Sequence, residues 1–184
     1  MQEWGSEGHL IMGRSEIPCR QANGLYWLGF ARVRCRGSEL PAWALSQFGA
    51  EPMAAALAGP EDGYLILHWP DNFQLKRLRV PTAAVGASTR RAVIVTCRDT
   101  DAATDTIHLR YFAPQYGIVE DSATGSAMRI LADYWAQSCG LEGLHGRQDS
   151  PRGGELFSRL EGEIAWVGGR IRDLDETDNG VPDT

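Results

Sequence analysis

The chain has 184 residues, 43% of them hydrophobic and 23% charged, with a net charge of −6. That length suits one large domain or two small ones around a buried core, and the balance of residues excludes a disordered chain. The acidic surplus speaks against a nucleic-acid-binding face. No run of 18 apolar residues occurs, and the first residues, "MQEWGSEGHLIMGRSE", lack a basic segment followed by an apolar one. Neither a transmembrane helix nor a secretory signal is therefore expected, and the cytoplasm is the expected compartment.

In chain order, a strand is expected at 25–35, "LYWLGFARVRC", rich in aromatic and β-branched residues. A short helix follows at 41–49, opened by Pro41 and stopped by Gly49, and the alanine run at 51–59 suggests another. Strands are then expected at 63–69, 74–80, 92–97 and 106–113, with Ile107, Leu109 and Tyr111 alternating clearly in the last. The strongest helix pattern is at 124–139, where Ala127, Ile130, Leu131, Tyr134 and Trp135 keep a three-to-four spacing and Gly140 provides a stop. Ala132, Ala136 and Cys139 widen its apolar surface until it reads as a mostly enclosed helix. Two more strands are expected at 154–160 and 163–171, and the acidic stretch "DLDETDNGVPDT" at 173–184 is expected to be a solvated tail. One enclosed helix among many strands implies an α+β domain with a sheet around a central helix.

Cys19, Cys35, Cys97 and Cys139 are far apart, with no CxxC and no paired histidines nearby, so four free thiols and no metal site are expected. His68 and His108 fall within expected strands and read as structural, while His145 reads as an exposed loop residue. The six tryptophans, Trp4 among them, are scattered and read as packing residues.

The stretch "IVEDSATGSAMRILADYW" at 118–135 places Glu120, Asp121, Ser122, Thr124 and Ser126 around the start of the strong helix. A helix start leaves about four backbone N–H groups without partners and carries partial positive charge. Asp121, Ser122 or Thr124 could simply cap them. One cap needs one residue, however, and five polar candidates with small Gly125 and Ala127 favour a site for a ligand carboxylate or phosphate.

The longer stretch "RYFAPQYGIVEDSATGSAMRILADYW" resembles the signature of PhzF-like proteins, the phenazine-biosynthesis relatives of diaminopimelate epimerase. The likeness runs through Arg110, Phe112, Pro114, Gly117, Glu120, Asp121, Thr124, Gly125, Ser126 and Ala127, with Ser122 where the family usually has Pro. A second block, "QDSPRGGEL", matches through Gln148, Ser150, Arg152, Gly153 and Gly154, with Asp149 in place of the usual Gly.

The resemblance covers roughly residues 24–172 and matches mainly the family's second domain. It implies a strongly bent antiparallel sheet or barrel wrapped around a central helix, as in one half of the diaminopimelate epimerase-like fold. In this family two such domains face each other, and the site lies between the N-termini of their central helices. The implied activity is a proton shift on a small carboxylate-bearing metabolite, with no cofactor and no metal. Asp121 and Ser126 carry over as catalytic residues, and Glu120, Thr124, Gly125, Arg152 and Gly153 as substrate-binding ones. Arg152 could hold a carboxylate with two parallel hydrogen bonds.

The family's first-domain Glu in a Ser-Glu-Thr setting and its Gly-His motif have no convincing counterpart. Ser15-Glu16 and Gly8-His9 stand in reversed order, with no apolar helix after either. Residues 1–36 therefore read as the remnant of a first domain or a connecting strand, 37–172 as the PhzF-like C-terminal domain, and 173–184 as the tail. Three readings follow: an isomerase that works as a homodimer, a non-catalytic anion-binding module, or a truncated remnant. Neither nucleic acid nor membrane is an expected partner.

Overall fold

The computed structural model describes residues 5–170. Trp4, the end of the strand expected at 163–171, and the acidic stretch at 173–184 lie outside the described residues.

Among the described residues eleven strands form one sheet. They are β1 (Ser6–Met12), β2 (Ser15–Ala22), β3 (Leu25–Ala31), β4 (Cys35–Ser38), β5 (Ala54–Ala58) and β6 (Tyr64–His68), followed by β7 (Ala92–Asp99), β8 (Thr106–Phe112), β9 (Gly143–Gln148), β10 (Gly154–Glu161) and β11 (Ile164–Gly169). The spatial order is β1-β2-β3-β11-β10-β9-β8-β7-β6-β5-β4, so the sheet is open, with β1 and β4 at its edges. It is also mixed rather than wholly antiparallel, because β6 pairs with β7 and β8 with β9 in parallel. Both parallel pairs are joined by long connections, which parallel strands require. The first contains a 3-10 turn (Leu75–Arg77) and α2 (Ala84–Ser88); the second contains the long helix α3 (Gly125–Cys139). Residues 25–31 belong to this same sheet, since β3 pairs with β11 through Tyr26–Ala31 and with β2 at Leu25.

The central strands read as continuous apolar runs because both of their faces are covered. On β7, Ile94 joins one apolar cluster, while Val93, Val95 and Cys97 join another. The first cluster contains Ala127, Met128, Ile130, Leu131, Tyr134 and Trp135 of α3 together with Ile66, Ile107 and Leu109. The second contains Phe48 of α1 (Ala44–Phe48), Trp69, Leu75, Leu78 and Val85. Thus α3 packs on one face of the sheet, while the shorter helices and the 3-10 turn cover the other.

Three expectations are corrected. The alanine run at 51–59 is not helical: Ala54–Ala58 is β5, hydrogen-bonded to strands on both sides. Its Ala56 and Ala58 face one cluster and Ala55 the other, so pairing and burial outweigh alanine's helix preference. The strand expected at 74–80 is instead a 3-10 turn followed by a loop; Leu75 and Leu78, three apart, both point into the second cluster. His145 lies in β9 rather than in a loop and stacks on Phe157, with ring centroids 4.8 Å apart. All four cysteines are free.

Candidate active site

Because β8 and β9 run parallel and α3 connects them, the N-terminus of α3 comes back to the C-terminal ends of both strands. The loop leaving β8 turns at Pro114–Tyr116, bridges Ala113 to Ile118, and reaches Asp121, whose N–H donates to Tyr111 O at 3.1 Å. Glu120 is nearly buried and pairs twice with Arg110, Nε to Oε1 at 2.7 Å and Nη2 to Oε2 at 2.9 Å. The third arm of Arg110 donates to the carbonyls of Leu75 and Leu78. The Glu120 carboxylate is thereby committed to holding the loop on the sheet.

The Asp121 carboxylate bonds within the loop rather than to an amide of the helix. Its Oδ1 accepts from Ser122 N–H at 2.8 Å and its Oδ2 from the Thr124 hydroxyl at 2.7 Å. Buried Gln148, at the end of β9, closes the network: its Oε1 accepts from Thr124 N–H at 2.8 Å, and its Nε2 donates to Asp121 O and Thr124 Oγ1. Buried Ser150 donates to Ser122 O at 2.8 Å. Asp121, Ser122 and Thr124 are therefore bonded to one another and to Gln148 and Ser150, while Glu120 is bonded to Arg110 of β8.

The consequence is an open helix end. Thr124, the N-cap residue, is extended and makes no side-chain cap, and the first backbone bond back is Met128 N–H to Thr124 O at 3.3 Å. Neither Asp121, Ser122 nor Thr124 caps the helix, which removes the simplest reading of that crowded stretch. The Gly125 and Ser126 amides head the helix, with Ser126 exposed. A Cβ on Gly125 would meet only Val167, at an ordinary 3.8 Å, so internal packing does not demand glycine there.

The second block supports this end from below. Gly154 passes so close to the loop that a Cβ would lie 2.9 Å from Ala123 Cβ and 3.0 Å from Ser122 O. Gly153 adopts a positive φ of 70° and its N–H bonds back to Ser150. Gly153 thus shapes the turn. Arg152 is exposed, and no carboxylate among the described residues pairs with it. The structure therefore brings together Asp121, Thr124, Gly125, Ser126 and the turn carrying Arg152 and Gly153. It adds Gln148 and Ser150, which local sequence reading did not single out as site residues, because only the parallel β8–β9 pairing carries them to the loop.

Among the described residues no group of three or more His, Cys, Asp or Glu is placed to hold a metal ion. No helix among them is long and apolar enough to cross a membrane.

Comparison with known proteins gives a consistent answer. A family model described as "Phenazine biosynthesis-like protein" (PhzC-PhzF) matches residues 36–166. A phenazine biosynthesis-like domain-containing protein of Bos taurus is 46% identical over 70 residues, covering 37% of this chain and 24% of that protein. An uncharacterized isomerase of Pseudomonas aeruginosa is 42% identical over 95 residues, covering 52% of this chain and 35% of that one. Among solved structures, a PhzF-family phenazine biosynthesis protein from Enterococcus faecalis aligns with a TM-score of 0.75 at 23% identity, over 89% of this chain and 61% of that one. One from Bacillus anthracis aligns with a TM-score of 0.65 at 16% identity, over 89% and 65%. These two likenesses concern the fold, and the alignments span less than two thirds of each relative.

Proposed function

The chain belongs to the phenazine biosynthesis-like family, and we propose that it serves as an isomerase or epimerase that shifts a proton on a small carboxylate-bearing metabolite. In this reading the sheet curves around α3 as one half of an epimerase-like cleft, and two copies of the chain form the complete site. The carrying observation is the uncapped start of α3, where the Gly125 and Ser126 amides stand open while the side chains of Glu120, Asp121 and Thr124 are bonded elsewhere. Partial positive charge and free N–H donors at a helix start suit a carboxylate oxygen. The exposed Ser126 hydroxyl adds a donor, and Arg152 can reach a second acidic group on the substrate.

A proton shift also needs a base. Each Asp121 oxygen already accepts a hydrogen bond, and Glu120 is held by Arg110. That arrangement favours a division of labour: one copy binds and orients the carboxylate, and Asp121 keeps the loop in place until a second copy supplies the base. The same observation supports a second reading, in which the chain binds small carboxylates without turning them over.

Solvent deuterium exchange distinguishes the two. The chain is incubated in heavy water with a panel of small carboxylates, and label at the carbon next to the carboxylate is followed by NMR. Exchange that rises with protein concentration and disappears in Ser126→Ala and Asp121→Asn supports the isomerase. Perturbed Gly125 and Ser126 amides without exchange leave the binding module. Exchange unaffected by both substitutions sinks the assignment of the site.

A further inference from the structure

On the face of the sheet opposite α3, a cavity of about 340 Å³ is lined by Asn72, Lys76, Asp99, Asp101, His108 and Asp149, among others. His108, on β8, sits between two carboxylates. Its Nδ1 is 3.0 Å from Asp149 Oδ2 and its Nε2 is 3.5 Å from Asp99 Oδ2. A neutral imidazole donates from only one nitrogen, so only the protonated ring can satisfy both acids.

Asp149 lies between Gln148 and Ser150. Its two neighbours bond to the loop at the start of α3, as described above, while its own side chain points the other way, as alternation along an extended chain requires. The segment is otherwise tied to β8 by Asp149 N–H to Leu109 O at 2.8 Å. Lys76 also faces Asp149, at 3.9 Å, and is largely exposed. Asp101 lines the cavity, and Arg147, the register neighbour of His108 on β9, is exposed.

We propose that His108 is a positioning residue for the carboxylate site: its protonated ring, gripped by Asp99 and Asp149, braces residues 148–150 so that Gln148 and Ser150 hold the loop 121–124 in register with α3. This rests on the reading of the α3 entrance as the ligand site. The hydrogen bonds that the ring donates to Asp149 and Asp99 hold the proton on His108 above its ordinary range, against the opposing effect of burial. The brace is therefore complete below about pH 6.5 and is lost as pH rises through the raised value. The site's grip on an anion loosens over that range.

The test uses the full chain and amide NMR. In the wild type, the Thr124 amide, which donates to Gln148, should follow the His108 ring through its titration, with a midpoint above pH 6.5. Its hydrogen exchange should speed up about tenfold, corrected for intrinsic rates, once the ring is neutral, as expected from weakening one buried hydrogen bond. His108→Gln should abolish that step, and Asp99→Asn, which spares the contact with Asp149, should lower its midpoint. Acetate serves as the anion probe, read at the Gly125 and Ser126 amides. A Thr124 amide that ignores the His108 titration overturns the brace, even where acetate still binds. A Thr124 amide that follows it, with Gly125 and Ser126 indifferent to acetate, keeps the brace and removes the ligand site.

Discussion

Gln148 and Thr124 satisfy one another across 24 residues of chain: the Thr124 amide donates to Gln148 Oε1 at 2.8 Å, and Gln148 Nε2 donates to Thr124 Oγ1 at 3.1 Å. With its further bond to Asp121 O, Gln148 has both polar atoms engaged in the loop and both N–H donors used. It holds the site from behind.

Gln148→Leu keeps the volume and removes all three bonds, leaving the buried Thr124 N–H and the part-buried Asp121 O without partners. Each such group costs about 1–3 kcal/mol. The denaturant midpoint should fall by an amount equivalent to at least ~2 kcal/mol, and amide exchange at Thr124 should become fast. An unchanged midpoint would mean that water replaces the amide at no cost.

At the helix start the two measurements should separate. Gly125→Ala meets only an ordinary contact with Val167, and alanine is the better helix former by up to about 1 kcal/mol. Stability should hold or rise, yet carboxylate binding should weaken, because a methyl group crowds the open amides. Ser126→Ala, on an exposed side chain, should stay within about 0.5 kcal/mol in stability while losing affinity. Titration calorimetry alongside thermal denaturation reads both; loss of stability without loss of binding would relocate the site.

The pattern of what the sequence revealed follows from burial. The helix at 124–139 was readable because one continuous face enters a single apolar cluster and Gly140 takes the left-handed stop, φ 72°. The strands at 63–69, 92–97 and 106–113 were readable because both faces are buried. By contrast β1 is exposed throughout and sits at a sheet edge, so "SEGHLIM" carries no alternation to detect. The start of α3 was legible as an excess of polar residues, but not the direction Asp121 would take. That depends on Gln148, placed by a parallel pairing that no local pattern announces.

The two glycines of the second block should fail differently. Gly154→Ala drives a methyl to within 2.9 Å of Ala123 Cβ and 3.0 Å of a backbone oxygen, so the loop 122–123 has to move, at about 1–3 kcal/mol. Gly153→Ala meets open space but keeps a positive φ, costing roughly 1 kcal/mol in backbone strain. Only Gly154→Ala should shift the Gly125 and Ser126 amide resonances. Equal shifts in both variants would separate the loop from Gly154.

Asp133 ties α3 to the segment before β4. Wholly buried, it accepts from Arg32 Nε at 2.5 Å, Cys35 N–H at 2.6 Å and Gln137 Nε2 at 2.5 Å. The Cys35 thiol beside it is pushed up to about 12, by burial first and by Asp133 next. Asp133→Ala strands a mostly buried guanidinium and an amide, a loss of about 3–5 kcal/mol. The variant should also let Cys35 react faster with a thiol reagent at pH 8, since the acid that opposes its ionisation is gone and the segment is loosened. Unchanged stability would show that Arg32 finds another partner.

The last prediction concerns acid. His68, on β6, is buried, with Nδ1 2.8 Å from the Tyr134 hydroxyl, and its Nε2 has no hydrogen-bond partner among the described residues. Burial lowers its pKa, only partly offset by Asp71. A histidine lowered in the folded state takes up its proton more readily when unfolded. Its contribution is therefore complete above about pH 6.5 and is lost as pH falls toward the lowered folded value. His108 has the opposite sign and an adjoining window: raised in the folded state, its contribution changes above about pH 6.5 and that of His68 below it. His68→Phe keeps the ring against Tyr134 and Trp135 and removes the titration. Denaturation between pH 7 and pH 5 should show a stability slope shallower than in the wild type by up to about 1.4 kcal/mol per pH unit, one proton's worth. The same experiment on His108→Gln, carried up to pH 8, should leave the slope below about pH 6.5 unchanged and remove a gain in stability as pH falls toward 6.5. Parallel slopes in all three proteins would mean that neither histidine changes its proton affinity on folding.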